Sequence, residues 1–133
     1  MTEIQECRPR QAEVAELWLM IGLEVAALLL WAVYDAAGIA LTVRVGAGVS
    51  TIDVAGVAVT ASLVAVAAIV LYRLLARWGH GLRTWSVVAG AVWAVSFLGP
   101  LGATTMQAGW ALASFHLLVG GGMFFGVRRI HGR

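Results

Sequence analysis

Val54-Ala55-Gly56-Val57-Ala58-Val59-Thr60-Ala61-Ser62-Leu63-Val64-Ala65-Val66-Ala67-Ala68-Ile69-Val70-Leu71 is a continuous stretch without a charge. A helix needs about 20 apolar residues to cross a hydrocarbon core about 30 Å thick. Backbone polar groups in lipid must be satisfied within the segment, so a lone apolar run of this length reads as a helix and not as a strand. Three further stretches share the pattern. Leu17 to Tyr34 is apolar except for Glu24, Trp85 to Leu98 has only Ser86 and Ser96 as polar residues, and Met106 to Val127 carries Gln107, Ser114 and His116. Extended into their flanks, they predict helices over 15–36, 54–76, 84–102 and 106–127. The chain reads as an all-α membrane protein, a four-transmembrane-helix bundle forming one membrane domain over 1–133. Gly99-Pro100 is expected to end or kink the third span.

Composition agrees. Of 133 residues, 61% are hydrophobic and 12% charged, with a mean hydropathy of +0.89. A soluble domain carries about 25% charged residues, and a small one has much surface to cover with them. A soluble enzyme, a disordered tail and a nucleic-acid module are therefore excluded. The lipid bilayer is the expected partner, and nucleic acid is not.

Charge placement sets the topology. All nine basic residues are Arg. Arg8 and Arg10 precede span 1, Arg73, Arg77 and Arg83 flank the 2–3 loop, and Arg128, Arg129 and Arg133 follow span 4. Four spans place those regions on one side, leaving only Arg44 opposite. The positive-inside rule then puts both termini in the cytoplasm. Trp18, Trp78 and Trp85 are expected at the inner interface and Trp110 at the outer one, as belt residues. The stretch from Met1 to Glu13 is polar and acidic and does not read as a signal peptide. Cys7, the only cysteine, reads as an inert thiol, and Glu16, at the inner boundary, as a snorkelling side chain.

The connection between spans 1 and 2 has a different texture. Leu41-Thr42-Val43-Arg44-Val45 alternates, Gly46-Ala47-Gly48 signals a turn, and Val49-Ser50-Thr51-Ile52 resumes a strand-like composition. This predicts a short extracellular β-hairpin over about 40–53, either a structural cap or a lid.

All seven acids lie between Glu3 and Asp53. An ionisable residue inside a span costs about 2.5–3.5 kcal/mol at the centre on the insertion scale, which makes it a functional candidate. Glu24 and His116 both sit deep, at matching depths, so the two could meet across the bundle. Glu24, Leu28, Trp31 and Asp35 share one helical face. Thr105, Gly109, Ala113, His116 and Gly120 form a small-residue stripe on span 4, and Trp85, Ala89, Val92 and Ser96 align on span 3. If these faces converge they enclose an apolar pocket with a few polar groups, the usual form of a ligand site. The expected catalytic residues are Glu24, Asp35, Asp53 and His116. Trp31, Tyr34, Trp93, Ser96 and Thr105 are the expected substrate contacts. Gly122 and Gly126 have the GxxxG spacing that serves helix packing. No motif points to a metal or a cofactor, and none is expected.

From about Leu41 onward the chain resembles a family of uncharacterised four-helix membrane proteins common in actinobacteria. The residues that carry the likeness are Leu41-Thr42-Val43, Ala61-Ser62-Leu63, Arg83-Thr84-Trp85, Ser96-Phe97-Leu98-Gly99-Pro100-Leu101, Thr104-Thr105 and Phe115-His116-Leu117. The resemblance implies the four-helix plan in a bacterial plasma membrane and makes His116, Arg83 and Gly99-Pro100 part of it. It implies no activity. Glu24, Asp35 and Asp53 stand where this family is expected to carry apolar or small residues.

Three functions fit these residues. The first is a cofactor-independent enzyme using Glu24 as acid and Asp35 as base. It would isomerise, open an epoxide of, or cyclise a lipophilic terpenoid- or polyketide-like molecule. The second is a small proton-coupled transporter, as a homodimer. The third is a non-catalytic membrane assembly subunit.

Overall fold

The computed structural model describes the backbone of residues 3–132 and side chains from residue 10 onward. The side chains of Cys7 and Arg8, all of Arg133, and the readings attached to them lie outside the described residues. The elements are α1 (Glu3–Ala36), a hairpin of β1 (Thr42–Val45) and β2 (Gly48–Thr51), α2 (Val54–Arg77) and α3 (Leu82–Ser96). A 3-10 turn (Gly99–Gly102), α4 (Met106–Phe115), a π-turn (His116–Gly121) and α5 (Gly122–His131) follow. The last three form one continuous fourth rod. Four helical stretches are long and apolar enough to cross a membrane: Arg10–Ala36, Val54–Arg77, Leu82–Gly102 and Met106–His131.

The boundaries differ from the sequence reading in three places. The fourth rod runs to His131 and not to residue 127. The first helix begins at Glu3, ahead of residue 15, and includes Pro9; Gln11-Ala12-Glu13-Val14-Ala15-Glu16 are compatible with helix. The third α-helix ends at Ser96, and Gly99-Pro100 continues it as a single 3-10 turn. Asp53 caps α2 by accepting the Gly56 N–H at 2.8 Å, and Thr105 caps α4 through the Ala108 N–H at 3.1 Å. Both leave the chain extended before the helix, as N-cap residues do.

The hairpin pairs Thr42 with Thr51 and Val45 with Gly48. Its turn is Gly46-Ala47, and Gly46 has φ of +60°, which glycine tolerates and a two-residue turn of this type requires at its first position. The hairpin does not stand alone. Val43 bridges to Ala103, the Thr104 N–H donates to the Thr42 carbonyl at 3.1 Å, and the Thr42 and Thr104 hydroxyls are hydrogen-bonded.

In the bundle α1 packs on α2 and on the fourth rod, and α3 packs on the other sides of the same two. α1 and α3 thus occupy opposite corners. The interior divides in two. The hairpin end holds Ala27, Leu41, Val57, Ala61, Ala111 and Val119. The end carrying both termini holds Ala65, Ile69, Trp85, Met123 and Val127. Gly122 and Gly126 lie against Leu23 and Leu19 of α1, where a Cβ would collide. Their spacing brings the fourth rod close to α1. The outward faces stay apolar: Leu17, Leu29, Val33, Leu63, Val87 and Phe125 are all more than half exposed. Such a surface far exceeds what a soluble monomer shows and suits a lipid surround.

Trp18, Trp78 and Trp110 are about 70% exposed, compatible with belt positions, whereas Trp85 is 0% exposed. The belt assignment of Trp85 is corrected. Its indole N–H donates to the Ala68 carbonyl at 3.0 Å, which removes the polar demand that would hold it at an interface. Glu16 is also corrected. It is 4% exposed, because His131 Nε2 meets Oε1 at 2.8 Å and Arg73 meets Oε2.

Candidate functional site

An apolar cavity of about 380 Å³ lies between α2, α3 and the fourth rod. Small residues make it. Ala61, Ala67 and Ala68 on α2 and Ala89 on α3 face each other where larger side chains would close the gap. Leu41 and Ile52 from the base of the hairpin cover its outer end. Four wall residues, Trp85, Phe124, Trp93 and His116, belong to an aromatic ladder. Phe97 joins Trp93 to His116 in it, and successive centroids are 5.8–6.0 Å apart. Such contacts between rings are favourable beyond their area.

The lining contains no Asp, Glu or Arg. Its polar groups are Thr60, Ser96, His116 and the two indoles. Trp85 and Trp93 spend their N–H groups on the carbonyls of Ala68 and His116. The Ser96 hydroxyl donates to the Trp93 carbonyl at 2.6 Å, which leaves its oxygen as an acceptor. His116 Nδ1 lies 2.8 Å from the Leu112 carbonyl. A carbonyl only accepts, so Nδ1 carries a hydrogen and Nε2 is the nitrogen available to a ligand.

His116 opens the π-turn, a rare local geometry that often marks functional sites. The Trp93 indole lies on Gly120, where a Cβ would collide with it, and on Gly121, where a Cβ would press on it at 3.2 Å. Two glycines and one aromatic ring thus hold the turn that carries the histidine.

Of the catalytic and substrate-contact residues named from sequence, His116, Trp93 and Ser96 meet at this cavity, and the others do not line it. Glu24 is half-buried and accepts the Ser62 hydroxyl at 3.1 Å, so it pairs with α2. Among the described residues no hydrogen bond or ion pair joins it to His116. Asp35 is exposed at the end of α1. Asp53 and Thr105 are helix caps. Tyr34 donates to the Ser114 hydroxyl at 2.9 Å, since that hydroxyl donates onward to Ala111. Trp31 packs in the hairpin-end core. The expected convergence of three carboxyls on the pocket does not occur. They lie along α1 and at the start of α2, whereas the cavity is lined mainly from α2, α3 and the fourth rod. Thr60 is a polar wall residue missing from the sequence reading; its only signal is a lone hydroxyl in the charge-free span.

The fold and its hollow define a class: a four-helix bundle with a capping hairpin, four helices apolar enough to span a membrane, and a cavity among them. The chain belongs to the DUF6069 family, a family of unknown function, whose model matches residues 8–133. The match takes in the first helix as well as everything from Leu41 onward. No curated protein and no solved structure matches the chain.

Proposed function

We propose that this is a multi-pass protein of a bacterial plasma membrane, with both termini cytoplasmic, that takes a lipophilic small molecule into the cavity between α2, α3 and the fourth rod. There His116 performs cofactor-independent acid/base chemistry, an isomerisation in its simplest form. The observation that carries the proposal is the cavity itself. Its volume of about 380 Å³ falls in the range of ligand sites, and its wall is apolar with three polar side chains, Thr60, Ser96 and His116. Nε2 of neutral His116 accepts a proton from the bound molecule and returns it at another atom, so nothing is consumed. Glu24, Asp35 and Asp53 take no part in this version. The reaction rests on the histidine alone.

The test is to purify the protein in nanodiscs, identify bound lipophilic molecules by native mass spectrometry, and incubate the complex in deuterated water. Wild type should retain a bound mass that Val64→Trp, which fills the cavity, loses. Deuterium should enter the bound molecule in wild type and not in His116→Gln. A bound mass without His116-dependent exchange would leave a binding protein and no enzyme. No bound mass in either form would overturn the proposal.

A further inference from the structure

Resting on that cavity, we infer that its ligand is an amphiphile with an uncharged hydroxyl-type head and an apolar body about 17 Å long. The head lies at Thr60, Ser96 and His116, and the tail points toward the end of the bundle that carries the termini.

Depth is the first argument. Tyr72 stacks on His131 at 4.0 Å between centroids and meets Trp85 edge-on at 6.2 Å, which fixes one layer across three helices. At about 1.5 Å per residue, Thr60 lies about 18 Å from that layer, His116 about 22 Å and Ser96 about 17 Å. The three polar side chains of the wall therefore share one level. Between them and Trp85 the lining is Val64, Ala67, Ala68, Leu71, Ala89 and Phe124, with no polar side chain. The cavity is thus polar at one level and purely apolar from there to Trp85.

Length is the second. From the polar level to Trp85 the cavity runs about 17 Å. Bonds of about 1.5 Å in zigzag advance about 1.3 Å each, so an extended chain covers that distance with about 13 carbons.

Chemistry sets the head. No side chain of fixed charge lines the cavity, so a charged head would be buried without a partner. Ser96 Oγ and His116 Nε2 both offer acceptors, which suits the O–H of a hydroxyl head.

The experiment uses a photoreactive diazirine analogue of 1-tetradecanol on the full chain in nanodiscs, with cross-linked peptides located by mass spectrometry. Labelling is expected on α2 and the fourth rod and should fall at least fivefold in Val64→Trp. Unlabelled straight-chain alcohols should compete best at about 12–14 carbons, and a tetradecyltrimethylammonium salt should compete at least tenfold less well. In His116→Ala, 1-tetradecanol should lose most of its advantage over tetradecane. Equal or better competition by the charged amphiphile, or no optimum in chain length, would overturn this inference and leave the cavity as a ligand site. Labelling that Val64→Trp does not diminish would overturn the cavity reading itself.

Discussion

Trp93 on α3 donates its indole N–H to the backbone carbonyl of His116 on the fourth rod at 2.8 Å, and its ring rests on Gly120 and Gly121. One aromatic side chain thus supports the π-turn, forms part of the cavity wall, and positions the backbone from which the candidate acid/base group projects.

Gly120→Ala tests that support. The added methyl has to displace the indole. Overpacking of this kind costs about 1–3 kcal/mol, and loss of the indole hydrogen bond adds about 1 kcal/mol. Unfolding in mixed micelles should show the combined loss, together with a shifted Trp emission. Gly109→Ala is the control. A Cβ there meets only ordinary contacts, 3.6 Å from Ala103 Cβ and the Pro100 carbonyl, so it should cost well under half as much.

Glu16 ties three helices together, and its substitutions should be unequal. Its side chain is 5% exposed while that of Arg73 is 52% exposed. Arg73→Met leaves a buried carboxylate with His131 as its remaining partner. Glu16→Gln leaves a guanidinium that can turn to water and keeps two hydrogen-bonding atoms in place. Breaking one side of a buried pair costs about 3–5 kcal/mol at full burial, and about 1–3 kcal/mol is expected here because Arg73 is half in solvent. Denaturant titration should rank Arg73→Met as the more destabilising of the two. The reverse order would mean that the charge on Glu16 outweighs its burial.

The acids outside the cavity give a sharper test of chemistry. Asp53→Ala should lose about 1 kcal/mol as a missing N-cap, whereas Asp53→Asn should keep nearly all of it, because Asn caps as well as Asp. Glu24→Gln should keep its hydrogen bond to Ser62. Deuterium exchange into a bound ligand should therefore survive in Asp53→Asn and Glu24→Gln. Loss of exchange in either, with stability unchanged, would return that carboxyl to the reaction.

The helices are legible in the sequence because a charge-free run as long as Val54 to Leu71 has few other uses, and the hairpin because alternation and Gly46 mark a turn on their own. Both signals are local. The site is legible only in part because it depends on how helices face one another. Depth and spacing are enough to find His116, Trp93 and Ser96. They misplace the carboxyls, because matching depths on two helices do not say which corners of the bundle those helices occupy. Glu24 turns to Ser62 on α2, and the cavity is lined mainly from α2, α3 and the fourth rod. The Glu16 cluster is hidden for the same reason. Arg73 and His131 are distant in sequence, and only the assembled bundle brings them to one carboxylate. The π-turn leaves no mark, since it consists of one extra residue in a helix whose composition is unchanged.

The hairpin should control entry to the cavity. Leu41 and Ile52 line the cavity's outer end, and the Ile52 N–H donates to the Leu41 carbonyl at 2.8 Å. A two-stranded hairpin is marginal by itself, so its hold on the bundle comes from the Val43–Ala103 bridge, the Thr104 backbone bond and the Thr42–Thr104 hydroxyl pair. Replacing both threonines with valine preserves shape and removes one hydrogen bond, worth about 0.5–1.5 kcal/mol. The closed state should then open about 2–12 times more often, by the same free energy. Hydrogen exchange at the Ile52 amide should accelerate by that factor, and the diazirine alcohol should label faster with little change in its final extent. Unchanged exchange would place the grip in the apolar contacts of Leu41, which is 2% exposed, and Leu41→Ala would then be the variant that opens the cavity.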